Sequence, residues 1–147
     1  MIDALLALQL FVVLFIGLHD WIPLGPLNDV KAVRNAVSPG KLFVSTVLST
    51  PPFAIGFAAS VYCARTDFLS GCFGCYGLVT VSRSTELLRT WWIPYLLIDE
   101  PARADRYQAM FGRTHTFLPV RNGIRPDTLH IALVTVIILL AVISFGP

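Results

Sequence analysis

The chain alternates long apolar runs with shorter polar ones. The first run, Met1 to Leu18, contains LLALQLFVVLFIGL, with Asp3 and Gln9 as its only polar residues. It stops at His19-Asp20-Trp21 and the turn formers Pro23, Gly25 and Pro26. The second run is rich in small and weakly polar residues and carries Pro51-Pro52 near its middle. The third is interrupted by Arg83, Glu86 and Arg89, and the last, LHIALVTVIILLAVISF, is almost wholly aliphatic. A helix needs about 20 apolar residues to cross roughly 30 Å of hydrocarbon. The pattern predicts spans over 2–22, 41–64, 69–97 and 127–146 of one domain covering 1–147. The expected fold is all-α, an integral membrane four-helix bundle with a long cytoplasmic loop between helices 3 and 4. The start of the first run has no basic residue and no small-x-small cleavage site, so it reads as a retained helix rather than a signal peptide.

Local chemistry refines these spans. Ser45/Ser49 and Gly56/Ser60 are small-xxx-small pairs, the spacing that lets membrane helices approach closely. The paired prolines remove backbone hydrogen bonds, so the freed carbonyls need partners, and the second helix is expected inside the bundle. In the loop before the last span, 103–113 alternates Asp105, Arg106, Gln108 and Arg113 with Tyr107, Met110 and Phe111. That pattern predicts a short helix lying in the membrane interface. Arg121-Asn122-Gly123 reads as a turn, because Asn-Gly tolerates positive φ.

Composition agrees with the pattern. Of 147 residues, 55% are apolar and only 14% charged, against about 25% charged in soluble domains. A chain this short cannot hide so much apolar surface in a soluble core. Eleven basic residues face nine acidic ones, which excludes a basic nucleic-acid module. Three cysteines are too few for a disulfide framework. The basic residues also set the orientation. Lys31, Arg34, Lys41, Arg103, Arg106, Arg113, Arg121 and Arg125 share one side, and Arg65 stands on the other. By the positive-inside rule the two long loops are cytoplasmic and both termini lie outside, in a membrane expected to be a bacterial inner membrane. Trp21, Trp91 and Trp92 then fall at cytoplasmic ends, as an aromatic belt would.

The charges inside the third span carry the functional clue. Cys72, Cys75, Val79, Ser82, Glu86 and Arg89 recur at spacings of three and four, which is one helical face, and Arg83 lies beside it. Intramembrane ionisable groups cost about 3 kcal/mol each on insertion scales, so they face the bundle interior. His19, Asp20 and His130 fall at the same depth as Glu86 and Arg89. A polar chamber collecting these five is expected, with Arg113 or His115 as a lid and Trp91, Trp92 and Tyr95 at its mouth. Glu86 with a histidine would move a proton, Asp20 assisting. Arg83 or Arg89 would orient a polar group by bidentate hydrogen bonds. The bland alternative is an ion pair that only fixes helix packing. His19 and His130 also suggest metal or haem ligation, but no HxxxH, HExxH or CxxCH motif accompanies them, and no metal site is expected.

The favoured function is an enzyme or binding protein that handles a hydrophobic or lipid-like molecule by acid–base chemistry. Three alternatives stand beside it: a small oligomeric or proton-coupled transporter, a structural subunit of a membrane complex, and a thiol-disulfide/quinone oxidoreductase. The last rests on Cys72-Phe-Gly-Cys75. With four spans, this CxxC resembles the four-helix disulfide-forming membrane oxidoreductases. It departs from them because Cys63 alone cannot supply the second cysteine pair through which those enzymes relay electrons. Membrane lipid and a hydrophobic small molecule are the expected partners, nucleic acid is not, and a homo-oligomer or larger complex fits the small size. The sequence specifies no cofactor.

Overall fold

The apolar runs form helices whose buried residues recur at helical spacing. The structure is a computed structural model describing residues 2–66, 76–77, 80–81 and 85–145. Among these, six α-helices are delimited and there is no strand. They are α1 (Ile2–Leu18), α2 (Val30–Ala36), α3 (Pro39–Ala64), α4 (Ile93–Leu97), α5 (Pro101–Phe111) and α6 (Thr128–Phe145). A 3₁₀ turn covers Gly25–Leu27, and a π-helix, Leu88–Trp92, leads into α4. The first helix ends at Leu18, short of the predicted residue 22, where Trp21 and Ile22 close a turn on the Leu18 carbonyl.

The core is built where α1, α3 and α6 meet. Leu5, Val12 and Phe15 of α1 pack with Phe53 of α3, Tyr76, and Leu133, Ile137 and Leu140 of α6. Residue spacings of three and four put each set on one face. Gly56 gives Tyr76 its place, because a Cβ there would lie 2.8 Å from Tyr76 Cδ2. The Tyr76 hydroxyl donates to the Gln9 carbonyl at 3.4 Å. Gln9 itself is fully buried, and its amide has no hydrogen-bond partner among the described residues. An unsatisfied buried amide costs about 1–3 kcal/mol. Gln9→Leu should therefore raise the unfolding temperature, and a lower one in thermal melts of the detergent-solubilised protein would show that the amide is satisfied.

The outer faces are apolar too. Leu10, Phe11 and Leu14 of α1, Val47, Leu48 and Ile55 of α3, and Ile138, Leu139 and Val142 of α6 are all exposed. This corrects the expectation that the second helix lies inside the bundle. Only one face of α3 is buried, through Leu42, Phe53, Gly56, Ser60 and Cys63, because it packs along α1 at the edge of the helices. Among the described residues one helix, α3, is both long and apolar enough to cross a membrane, while α1 and α6 are shorter apolar helices.

At one end of these helices sits a second, smaller layer. The short helix predicted over 103–113 is present as α5, packed against α2. The loop after it is ordered by side chains. Asn122 Nδ2 donates to the Pro94 and Tyr95 carbonyls at the end of α4, and the Tyr95 hydroxyl donates to the Pro119 carbonyl. Asn122 has φ 50° and Gly123 φ 70°, as the Asn-Gly turn reading requires. Gly123 is also needed for space, since a Cβ would lie 2.5 Å from Ala104 Cβ.

Candidate functional site

Two histidine–carboxylate pairs meet below this second layer. Asp127 stands just before α6 and accepts from the His130 backbone N–H at 2.8 Å, as a helix-capping aspartate does. The same carboxylate holds the ring. His130 Nδ1 is 2.9 Å from both Asp127 oxygens. A carboxylate only accepts, so Nδ1 carries the proton and Nε2 is left for a ligand. Asp127 is 3% exposed and His130 12%, so the pair is screened from solvent. The second pair lies at the end of α1. His19 Nδ1 donates to the Phe15 carbonyl at 2.8 Å, one turn back, and Nε2 is 3.2 Å from Asp20 Oδ1. The two imidazole rings meet edge to face with centroids 5.9 Å apart.

A cavity of about 210 Å³ opens beside them. Its polar wall is made of His19, Asp20, His130, Glu86, Thr90 and the hydroxyls of Ser45, Thr46 and Ser49. Its deeper wall is apolar: Ile16, Phe53, Leu87, Leu133 and Ile137. The order follows from the helices. Polar residues come from the end of α1 and the starts of α3 and α6, and apolar ones lie one or two turns further in. Ser45, Glu86 and Thr90 are exposed, so the cavity opens sideways between α3 and the segment leading into the π-helix.

Four of the five residues expected to share a chamber line this cavity: His19, Asp20, Glu86 and His130. Arg89 does not, and the backbone explains why. Ile93 N–H donates to the Leu88 carbonyl, a π-type bond five residues back. Pro94 has no N–H to offer the Thr90 carbonyl, which instead accepts from the Tyr107 hydroxyl at 2.6 Å. The extra residue per turn rotates the backbone after Leu87 away from the stripe that Glu86 and Arg89 were expected to share. Arg89 is exposed.

The same rotation moves the tryptophans. Trp91 is not at the mouth but buried behind His130, with ring centroids 4.2 Å apart. Tyr107 and Phe111 of α5 close over Trp91 at 4.6 and 4.8 Å. Tyr95 is buried beside Trp91, and Trp92 stands edge-on to Tyr95. Neither lines the cavity. The expected lids are also elsewhere. His115 ties the loop to α6, its Nδ1 2.8 Å from Thr128 Oγ1, and its N–H donates to the Pro26 carbonyl. Arg113 faces α2. Arg83, Cys72 and Cys75 lie outside the described residues. Cys63, at the far end of α3, is disulfide-bonded.

Sequence reasoning missed Asp127, whose signal is the Asp-x-x-His spacing at a helix start, and the hydroxyl wall of α3. Ser45 and Ser49, read as a packing pair, face the cavity instead. Tyr107 docks the aromatic cap. Burial pushes its hydroxyl up from 10.0, the nearby Arg103 and Arg106 opposing. The neutral phenol is thus favoured in the folded state. Its contribution is complete below the unfolded value of 10.0 and is lost as pH rises through the higher folded one. Tyr107→Phe should cost about 1 kcal/mol and abolish the alkaline loosening of α5. Thermal melts at neutral pH and above pH 10.0 check this, and an unchanged alkaline slope would refute it.

No family model, curated protein or solved structure matches this chain. The protein is classed on its own geometry: all-helical among the described residues, with a membrane-capable helix and a lateral cavity bearing two histidine–carboxylate pairs.

Proposed function

We propose that this is an integral membrane protein, a four-helix bundle whose third helix runs through 69–97, and that its lateral cavity binds an amphiphile and performs acid–base chemistry on its polar end. The exposed apolar faces of α1, α3 and α6 support membrane embedding, since soluble monomers rarely leave such continuous apolar surface uncovered. Two features agree on orientation. Most basic residues gather at the end with α2 and α5, and Cys63 at the opposite end is disulfide-bonded. Thiols stay reduced in the cytoplasm and pair outside it, so the basic layer is cytoplasmic and both termini are outside. A bacterial inner membrane has these two compartments.

The single observation that carries the functional reading is the graded wall of the cavity, polar beside His130 and apolar beneath it. A molecule with one polar end and an apolar tail satisfies both walls, and the sideways opening admits it from lipid. His130 Nε2 is placed to accept a proton from a hydroxyl of the ligand. Asp127 stabilises the imidazolium that forms, Glu86 supplies a second acid or base at the mouth, and the His19–Asp20 pair can take the proton onward.

The test is mass spectrometry of molecules retained by the purified protein. Wild type should carry one class of amphiphile at about one per chain. Ser49→Phe, which fills the cavity from α3, should lose it while folding normally. Equal retention by both would place the molecule elsewhere and reject the reading.

A further inference from the structure

We propose that the groove between α2 and α5 is a second binding site, separate from the lateral cavity, and that it takes a phosphate group. Four of the eight basic side chains of the cytoplasmic layer have partners. Arg34 Nη2 donates to the Trp21 carbonyl, and its Cζ lies 5.4 Å from the Trp21 ring centroid. Arg103 and Arg106 both reach Glu100, at 2.8 and 3.8 Å. Arg125 Nη2 donates to the Gly112 carbonyl. The other four, Lys31 of α2, Arg113 just after α5, Lys41 and Arg121, have no side-chain hydrogen-bond or ion-pair partner among the described residues, and Lys31 and Arg113 are the two that come together. These two, far apart in sequence, line the same groove.

The groove is large and shaped for a head group. It has a volume of about 640 Å³, and a neighbouring recess of about 230 Å³ is also lined by both Lys31 and Arg113. Ala32, Ala36 and Ala109 form part of its wall, keeping it open, and Asn35 and Gln108 add amide donors. Asp29 is the carboxylate in the lining, and its Oδ1 accepts from the Ala32 N–H. Two free cations and two amides against one engaged carboxylate favour an anion. Arg and Lys bind phosphate through charge-assisted hydrogen bonds, Arg in bidentate form. Phosphate here has two sources, the head group of an acidic phospholipid at the membrane surface or a soluble phosphate compound.

The experiment is native mass spectrometry of the full chain in neutral detergent, titrated with phosphatidylglycerol and, as the phosphate-free control, diacylglycerol with the same chains. Wild type should bind phosphatidylglycerol more tightly than diacylglycerol. Lys31→Gln/Arg113→Gln should weaken binding about thirtyfold, the loss expected for two cations near a phosphate. Arg65→Gln, at the opposite end, should change nothing. Ala36→Trp, which fills the groove without altering charge, should act like the double variant. Competition by glycerol 3-phosphate at matched concentration would assign the site to a soluble phosphate compound, and its failure to compete would assign it to the lipid. Equal binding of diacylglycerol, wild-type binding by the double variant, or equal weakening by Arg65→Gln would overturn the proposal.

Discussion

Asp127→Asn will leave the protein folded and disable the cavity. Asparagine keeps an oxygen to cap α6 at the His130 N–H, so unfolding should shift by less than about 1 kcal/mol. Its amide, however, donates where the carboxylate accepted. His130 must then present an unprotonated Nδ1 to the amide and a protonated Nε2 to the cavity. The base is thereby lost, which costs about 10²–10⁴-fold in acid–base steps. Asp127→Ala should do worse on both counts, because it removes the cap as well, at about 1 kcal/mol or more. Melts alongside turnover of the co-purified amphiphile separate the two effects. If Asp127→Asn kept full turnover, the carboxylate would be a helix cap and nothing else.

Gly56→Leu will cost more stability than any of the other substitutions. Tyr76 has no room to yield. Its ring meets Phe53 edge-on at 6.3 Å, and its hydroxyl is held by the Gln9 carbonyl. A Cβ at position 56 would already press on the ring at 2.8 Å. Overpacking a core typically costs about 1–3 kcal/mol, and a full leucine side chain belongs at or beyond the top of that range. Gly56→Ala sets the scale, because helix propensity returns about 1 kcal/mol against the clash. Thermal unfolding in detergent reads both. A Leu variant as stable as wild type would mean that α3 and Tyr76 do not pack as described.

The chamber was legible in the sequence because depth is. His19 and Asp20 end one apolar run and His130 begins another, each within about one turn of the boundary, while Glu86, about three turns before the end of its own run, joins them as a charge that must face the interior. Helical rise converts those positions into a shared level without any knowledge of packing. Direction around a helix was legible only where the helix is regular. Gln9, Val12 and Phe15 share the buried face of α1 at regular helical spacing. Arg89 and Trp91 did not keep to the pattern, because Pro94 imposes a π-helix that no 3.6-residue stripe anticipates. Asp127 was passed over because it sits in a loop by sequence and becomes a ring partner only once α6 begins at Thr128. Arg113 and His115 were placed over the cavity by proximity in the chain, but α2 and Thr128 claim them instead.

Whether a base stands in a membrane cavity is tested most directly by nitrogen NMR of the three histidine rings. With Nδ1 held by Asp127, the His130 ring should be protonated on Nδ1 and bare on Nε2. Its Nε2 resonance should move when delipidated protein regains its co-purified amphiphile, while His115 stays still. In Asp127→Asn the bare nitrogen should switch to Nδ1. A His130 protonated on Nε2 in the wild type, or one indifferent to the returned amphiphile, would contradict a base at this position.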